Sequence, residues 1–194
     1  MLQFITKEST RYTHTEQARL AIEGGCRWVE LNLDGPDQAV AEAAKELMPL
    51  CRDTDTFLIL RRTEVVDALR VSGVFLDGAT AAEASATRDR LGPHAVIGVS
   101  VATADDVLNL RRADIDYAVL PPVETLGADR YAAIVRAVRG SECTTAIVAS
   151  GAIAEADVPA VMATGVSGIA VSAGIADAPD PTAATRAYLA ALGL

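Results

Sequence analysis

The sequence predicts a single-domain α/β fold, a (β/α)8 TIM barrel that spans residues 1–194. Short apolar runs without polar alternation predict strands that are buried on both faces, as in a parallel sheet. These runs alternate with helical segments eight times, and the connections between them are short. The competing open, doubly wound sheet is disfavoured because no Gly-x-Gly-x-x-Gly follows the first strand.

The eight predicted strands are marked by their apolar, β-branched content. Six of them lie at residues 2–6, 28–33, 57–60, 73–76, 95–100 and 116–120, and the last two begin at Ala146 and Gly168. Pro121 and Pro122 are expected to end the sixth strand, because proline cannot donate a ladder hydrogen bond.

Glycine, proline and capping residues predict where the helices begin and end. Thr15 is expected to cap the first helix, which Gly24 and Gly25 close. Pro36 opens a helix that runs to about residue 50. The remaining helices are predicted at residues 64–69, 81–91, 105–112, 129–139, 155–164 and 181–192.

The composition excludes several classes of partner. A net charge of −9 argues against nucleic acid and anionic membranes, because both repel a negative protein. The three cysteines form neither a metal-binding spacing nor an even disulfide framework, and no apolar stretch reaches membrane-spanning length. We therefore expect a soluble cytoplasmic protein that binds neither nucleic acid nor a membrane.

The last two strands each end in a cluster of small residues. In a (β/α)8 barrel the loops after strands seven and eight form the usual phosphate site, where backbone N–H groups approach the anion closely. The candidate phosphate-binding residues are therefore Ser150, Gly151, Val171, Ser172 and Ala173. The alternative is that both clusters are only tight turns.

Other polar residues follow the remaining strands and define a candidate mouth. Alternation along strand two places Glu30, Asn32 and Asp34 on one side, which we expect to face the mouth. Strand three ends in Arg61-Arg62 and strand five in Ser100. These residues either neutralise one another or form an anion pocket around Arg61.

Candidate catalytic residues are carboxylates and one arginine. No Cys–His or Ser–His–Asp arrangement is available, because His14 and His94 are predicted to lie in connections. A general base would therefore be a carboxylate, and the catalytic candidates are Glu30, Arg61 and Glu124, with Asp34 as a further carboxylate near the mouth. No pair of acidic residues has a spacing typical of a metal site.

Motifs along nearly the whole chain resemble thiamine phosphate synthase and its TenI-type relatives. They are QFIT at 3–6, GGCRWVEL at 24–31, LGP at 91–93, IG at 97–98, ASGAI at 149–153 and GVSGIAVS at 165–172. The resemblance implies a (β/α)8 barrel that joins a pyrimidine diphosphate to a thiazole phosphate with Mg2+. TenI-type members have largely given up that reaction, and some tautomerise the thiazole phosphate.

The resemblance also implies which site positions this chain has changed. Strand two of the synthase carries Gln, Arg and Lys where this chain has Glu30, Asn32 and Asp34, and the Asn-Asp after strand three is replaced by Arg61-Arg62. A second metal-binding Asp falls near Thr80. The Thr- and Lys-containing loop after strand six is shortened to residues 122–127, and the TenI histidine aligns with Pro122.

Other positions keep the family pattern. Ser100, Gly151 and Ser172-Ala173 match, and in the family the last two clusters hold the thiazole-side phosphate. The positions that would meet diphosphate and Mg2+ are therefore lost or reversed in charge, whereas those for the monophosphate are kept. Like charges repel across a low-dielectric mouth, so the change works against diphosphate binding.

Three hypotheses follow. The first is a barrel that binds a phosphorylated small molecule without the coupling reaction. The second is an active synthase with substitute residues, which alone would use Mg2+ as a cofactor. The third is a non-catalytic interaction barrel, and a homo-oligomer is compatible with all three.

The reversed charges also predict an ion pair. A carboxylate of Glu30 or Asp34 should lie within about 4 Å of the guanidinium of Arg61 or Arg62, because neighbouring strands are about 4.8 Å apart. The alternative is that these charges changed independently.

Overall fold

Eight parallel strands close into a barrel in the computed structural model, which describes residues 1–194. Each strand pairs with the next in sequence, and the eighth pairs with the first, so the predicted (β/α)8 barrel is confirmed. The strands are β1 (Leu2–Ile5), β2 (Trp28–Leu31), β3 (Phe57–Leu60), β4 (Gly73–Leu76), β5 (Val96–Ser100), β6 (Tyr117–Pro122), β7 (Ala146–Ser150) and β8 (Gly168–Val171).

Helices surround the barrel and connect its strands. They are α1 (His14–Glu23), α2 (Asp37–Asp53), α3 (Thr63–Leu69), α4 (Ala81–Leu91), α5 (Ala104–Leu110), α6 (Val123–Leu126), α7 (Ala128–Gly140), α8 (Val158–Met162), α9 (Ala173–Ala176) and α10 (Pro181–Ala191). Two 3-10 turns, Arg111–Ala113 and Glu155–Asp157, complete the connections. None of these helices combines the length and the apolar character that crossing a membrane requires.

The alternation of side chains along each strand divides the core into two parts. The larger part lies between strands and helices and includes Phe4, Leu31 and Val171. The smaller part fills the barrel interior with seven buried residues: Ile59, Phe75, Val96, Tyr117, Val119, Val148 and Ala170. The interior is therefore packed rather than open, and ligand access is confined to its ends.

The first helix begins earlier than predicted. Thr13, not Thr15, is the N-cap of α1, and Thr13 and Glu16 form a reciprocal capping box. His14 consequently lies in the first turn of α1 and is buried, so the prediction that it lies in a connection was wrong. His94 does lie in the turn before β5, as predicted.

Strand β6 continues through both prolines, although we expected them to end it. Pro122 pairs with Ser150 of β7 after an irregularity in register that begins at Val119. The strand tolerates proline here because the ladder is already disrupted at this bulge. As a result β6 carries the following loop, with Glu124, to the edge of the mouth.

Gly98 in β5 is required by the packing of the barrel interior, because a Cβ atom there would clash with the ring of Tyr117. Gly98→Ala should lower the free energy of unfolding by about 1–3 kcal/mol, the usual cost of overpacking. Urea unfolding measures this change. Gly140→Ala is the control, because nothing lies within 4 Å of the added methyl group. Equal stability of the two variants would contradict the packing argument.

Candidate functional site

Two adjoining cavities lie at the carboxyl ends of the strands. The larger, of about 1050 Å3, is lined by residues that include Arg61, Asp77 and Ser100. The smaller, of about 640 Å3, is lined by residues that include Gly151, Ser172 and Ala173. Ile5 and Ser150 line both. The predicted residues after β3, β5, β7 and β8 thus meet at one mouth.

Glu30 is a fully buried carboxylate inside the barrel, beside Arg61 of the larger cavity. Because side chains alternate along β2, Glu30 points into the barrel while Leu31 packs in the outer core. Its Oε1 accepts a hydrogen bond from Nε of Arg61 at 2.7 Å, and its Oε2 accepts one from Nε2 of Gln3 at 2.9 Å. The predicted ion pair between strands two and three is therefore present, formed by Glu30 and Arg61.

Burial dominates the protonation chemistry of this cluster. It raises the pKa of Glu30, the charge of Arg61 opposes that shift, and the nearby charge of Asp77 adds to it. Burial, followed by the charge of Glu30, raises the pKa of Tyr117. The phenol of Tyr117 therefore stays protonated, and its oxygen accepts a hydrogen bond from Nε2 of Gln3 at 3.1 Å.

Arg61 is held on three sides. Besides Glu30, its guanidinium lies over the ring of Phe75, 4.9 Å from the centroid, and Nη1 is 3.9 Å from Oδ2 of Asp77. Oδ1 of Asp77 accepts a hydrogen bond from the Ser100 hydroxyl at 2.6 Å. With Glu30 ionised, Arg61 stands between two carboxylates, and the cluster carries one excess negative charge.

The residues present at the implied metal positions do not fit Mg2+. Arg61 and Arg62 stand where the resemblance implies an Asn-Asp pair whose Asp binds the metal, and Arg62 is 3.5 Å from Asp37. The Thr80 hydroxyl is engaged in the capping box of α4 with Glu83. No group of three His, Cys, Asp or Glu residues lies close enough together to hold a metal ion. A hard cation requires several oxygen ligands, and here a guanidinium occupies the centre of the cluster.

Backbone amides line the smaller cavity. The N–H groups of Gly151 and Ser172 have no acceptor within the chain. Gly151 has φ of +120°, a conformation that favours glycine. The Ser150 hydroxyl donates to the carbonyl of Leu120 at 2.7 Å. The free donors of these loops therefore include the backbone N–H groups of Gly151 and Ser172.

Glu124 is the carboxylate nearest to these amides. Both of its carboxylate oxygens lie 3.2 Å from the backbone nitrogen of Ala152, whose N–H donates to them. A Cβ atom on Gly151 would clash with Oε2 of Glu124 and lie 3.0 Å from the backbone nitrogen of Val123. The loop after β6 and the loop after β7 are thus in direct contact.

Six candidate residues line neither cavity: Glu30, Arg62 and Glu124, whose contacts are given above, and Asn32, Asp34 and Val171. The Val171 side chain is buried in the outer core, since β8 alternation turns it toward the helices. Asn32 follows the end of β2, and its backbone N–H donates to the Thr6 hydroxyl at 3.0 Å. Asp34 is exposed.

Three residues of the polar cluster escaped prediction. Asp77 directly follows β4, so the rule that selected Ser100 also applies to it. Gln3 alternates with the apolar Leu2 and Phe4, which face outward, and this pattern indicates an inward position. Tyr117 carried no comparable signal, because its phenol lies in an otherwise apolar strand.

Comparisons with known proteins agree with this architecture. Residues 2–175 match the family described as thiamine monophosphate synthase. The chain is 36% identical to the thiamine-phosphate synthase of Bacteroides thetaiotaomicron, covering 97% of this chain and 95% of the relative. It is also 36% identical to the thiamine-phosphate synthase of Phocaeicola vulgatus, covering 95% and 94%.

A solved structure gives the same result. The thiamine phosphate pyrophosphorylase of Pyrococcus furiosus superimposes with a TM-score of 0.85 and 25% identity, over 99% of this chain and 95% of that one. The match to residues 2–175, the identities of the relatives and this superposition lead to one conclusion: the chain belongs to the thiamine monophosphate synthase family.

Proposed function

We propose that this barrel binds a phosphorylated small molecule, of the thiazole phosphate or thiamine phosphate class, through the loops after β7 and β8. We further propose that the half of the site that would take diphosphate and Mg2+ is lost. The phosphate-binding residues would be Gly151, Ser172 and Ala173, with Ser150 between the two cavities.

The main support for the proposed phosphate site is that two of its backbone N–H groups have no hydrogen-bond acceptor. The N–H of Ala152 already donates to a carboxylate, while those of Gly151 and Ser172 have no acceptor. Free N–H groups beside a cavity favour an anion. The smaller cavity, of about 640 Å3, has room for a phosphate ester beside them.

The loss of the diphosphate half is supported by the charge of the larger cavity. Glu30 and Asp77 flank Arg61, and with Glu30 ionised the excess negative charge would repel a diphosphate. The Nε–H of Arg61 already donates to Glu30, so fewer N–H donors of Arg61 remain for a second anion.

An active synthase that joins pyrimidine diphosphate and thiazole phosphate with substitute residues is the second candidate. It is favoured by relatives that are 36% identical over nearly the whole chain and are named thiamine-phosphate synthase. In that case Arg61 would contact the diphosphate, and Glu30 or Glu124 would supply a carboxylate.

Turnover with both substrates separates the two candidates. We expect no thiamine phosphate above background with pyrimidine diphosphate, thiazole phosphate and Mg2+, because the diphosphate is repelled by the Glu30–Arg61–Asp77 cluster. Calorimetry should show thiazole phosphate binding that does not depend on Mg2+. Robust turnover that Arg61→Ala abolishes would establish the active synthase instead.

A further inference from the structure

We propose that Glu124 is an internal anion that occupies the phosphate position of the β7 loop until a ligand displaces it. The proposal rests on the proposed phosphate site and adds a regulatory contact to it. Glu124 and the ligand phosphate would compete for the N–H of Ala152. The loop that carries Glu124 would have to move when the ligand binds.

The contacts of Glu124 identify it as an occupant of an anion site. Its two carboxylate oxygens are equidistant from the Ala152 nitrogen, at 3.2 Å, and its side chain makes no other hydrogen bond. The carboxylate also fills the space beside the Cα of Gly151, which is open only because glycine has no Cβ. A phosphate oxygen has the same charge and the same acceptor chemistry, so it suits the same position.

The segment that carries Glu124 is built so that it can move. Helix α6 has only four residues, none of them buried, and it lies between Pro122 and Gly127. Gly127 has φ of +82° and no atom within 4 Å of a Cβ placed on it. An outward swing of α6 would expose the half-buried side chains of Val123 and Leu126, which pack at the edge of the core, and Gly127 can absorb the change in backbone angle.

The base of this segment is anchored. The Tyr131 hydroxyl donates to the carbonyl of Pro121 and accepts from the Ser150 N–H, which ties the end of β6 to β7. Movement is therefore confined to the residues between Pro122 and Gly127. The β7 amides themselves stay in place when Glu124 leaves.

Phosphate titrations of four proteins test the competition: the unmodified protein, Glu124→Ala, Glu124→Gln and Glu155→Gln. Glu155 lines the same cavity, is exposed and makes no side-chain hydrogen bond, so its substitution removes the same charge without touching Ala152. Calorimetry with inorganic phosphate should show about tenfold tighter binding in both Glu124 variants. The Glu155 variant should bind less than about twofold tighter.

Hydrogen exchange of the Ala152 amide tests the contact in the ligand-free protein. Exchange should be faster in Glu124→Ala than in the unmodified protein and unchanged in Glu155→Gln, because only the first loses the acceptor. Unchanged exchange, or equal phosphate affinity in all four proteins, would overturn the internal anion and leave the phosphate site standing. An equal gain in phosphate affinity in Glu124→Gln and Glu155→Gln would also overturn it, because loss of one negative charge anywhere near the cavity would then explain the result. Absence of phosphate binding in every variant would overturn the site itself and the inference with it.

Discussion

Arg61→Met should lower the free energy of unfolding by about 3 kcal/mol, or about 6–12 °C in Tm for a chain of this length. The substitution leaves the fully buried Glu30 without its cationic partner. Breaking a buried ion pair costs about 3–5 kcal/mol, and the lower figure applies because Arg61 itself is 32% exposed. Chemical denaturation measures the change.

Two further variants control this experiment. Glu30→Leu combined with Arg61→Met should be less destabilising than Arg61→Met alone, because no uncompensated charge remains in the barrel. Arg62→Met should cost at most about 1 kcal/mol, because Arg62 faces Asp37 on the more exposed rim. Additive effects of the Glu30 and Arg61 substitutions would show that the two charges do not act as a pair.

The loss of unfolding free energy caused by Arg61→Met should depend on pH. Burial raises the pKa of Glu30, and removing Arg61 deletes the charge that opposes this shift. A carboxyl with a raised folded-state pKa loses stability as pH rises from the unfolded-state value, about 4.3, through the folded-state value. The difference between variant and unmodified protein should therefore be largest at neutral pH and shrink on acidification. A loss of stability that grows toward acid pH would show that the ionised Glu30 carboxylate is not its cause.

Gly151→Val should abolish binding of phosphate esters. The new side chain would stand against the Glu124 carboxylate and the Val123 backbone, where the anion is proposed to lie. It would also place a β-branched residue at φ of +120°, which glycine alone adopts readily. Calorimetry with thiazole phosphate should show no detectable heat of binding.

Gly92→Val separates loss of the site from backbone strain. Gly92 also has positive φ, +84°, but nothing lies within 4 Å of an added Cβ, and it follows α4 away from the mouth. This variant should lose stability while keeping its affinity for the ester. Binding by Gly151→Val at the unmodified affinity would remove the β7 loop from the site.

The fold was predictable because its signals are local and repeated. Buried parallel strands such as β3 and β8 are uninterrupted apolar runs, and breakers such as Gly92-Pro93 mark the helix ends. The errors occurred where tertiary context overrode a local preference. Pro121 and Pro122 stay in β6 because the ladder to β7 is already irregular there. Thr13 and Thr15 are both good caps, and only the reciprocal bond to Glu16 distinguishes them.

The site was less predictable than the fold. Alternation along β2 placed Glu30 in the interior, and the pairing of β2 with β3 placed Arg61 beside it. The contact between Glu124 and the Ala152 N–H could not be predicted, because it depends on how a six-residue strand and a four-residue helix place Glu124 against the β7 loop. Alternation along β8 turns the Val171 side chain into the outer core, so only the backbone of this residue can face the β8 loop.

The hydrogen bonds that link Tyr117, Gln3, Glu30 and Arg61 have a consequence for the order of folding. Gln3 and Glu30 are 27 residues apart, and Glu30 and Arg61 are 31, whereas Gln3 and Tyr117 are 114 apart. Strands β1 to β3 can therefore bring Gln3, Glu30 and Arg61 together before β6 adds Tyr117. Full burial of Glu30 requires the later strands, among them β6 with the phenol of Tyr117. We therefore expect the cost of burying this carboxylate to fall mainly on closure of the barrel, which brings together strands distant in sequence.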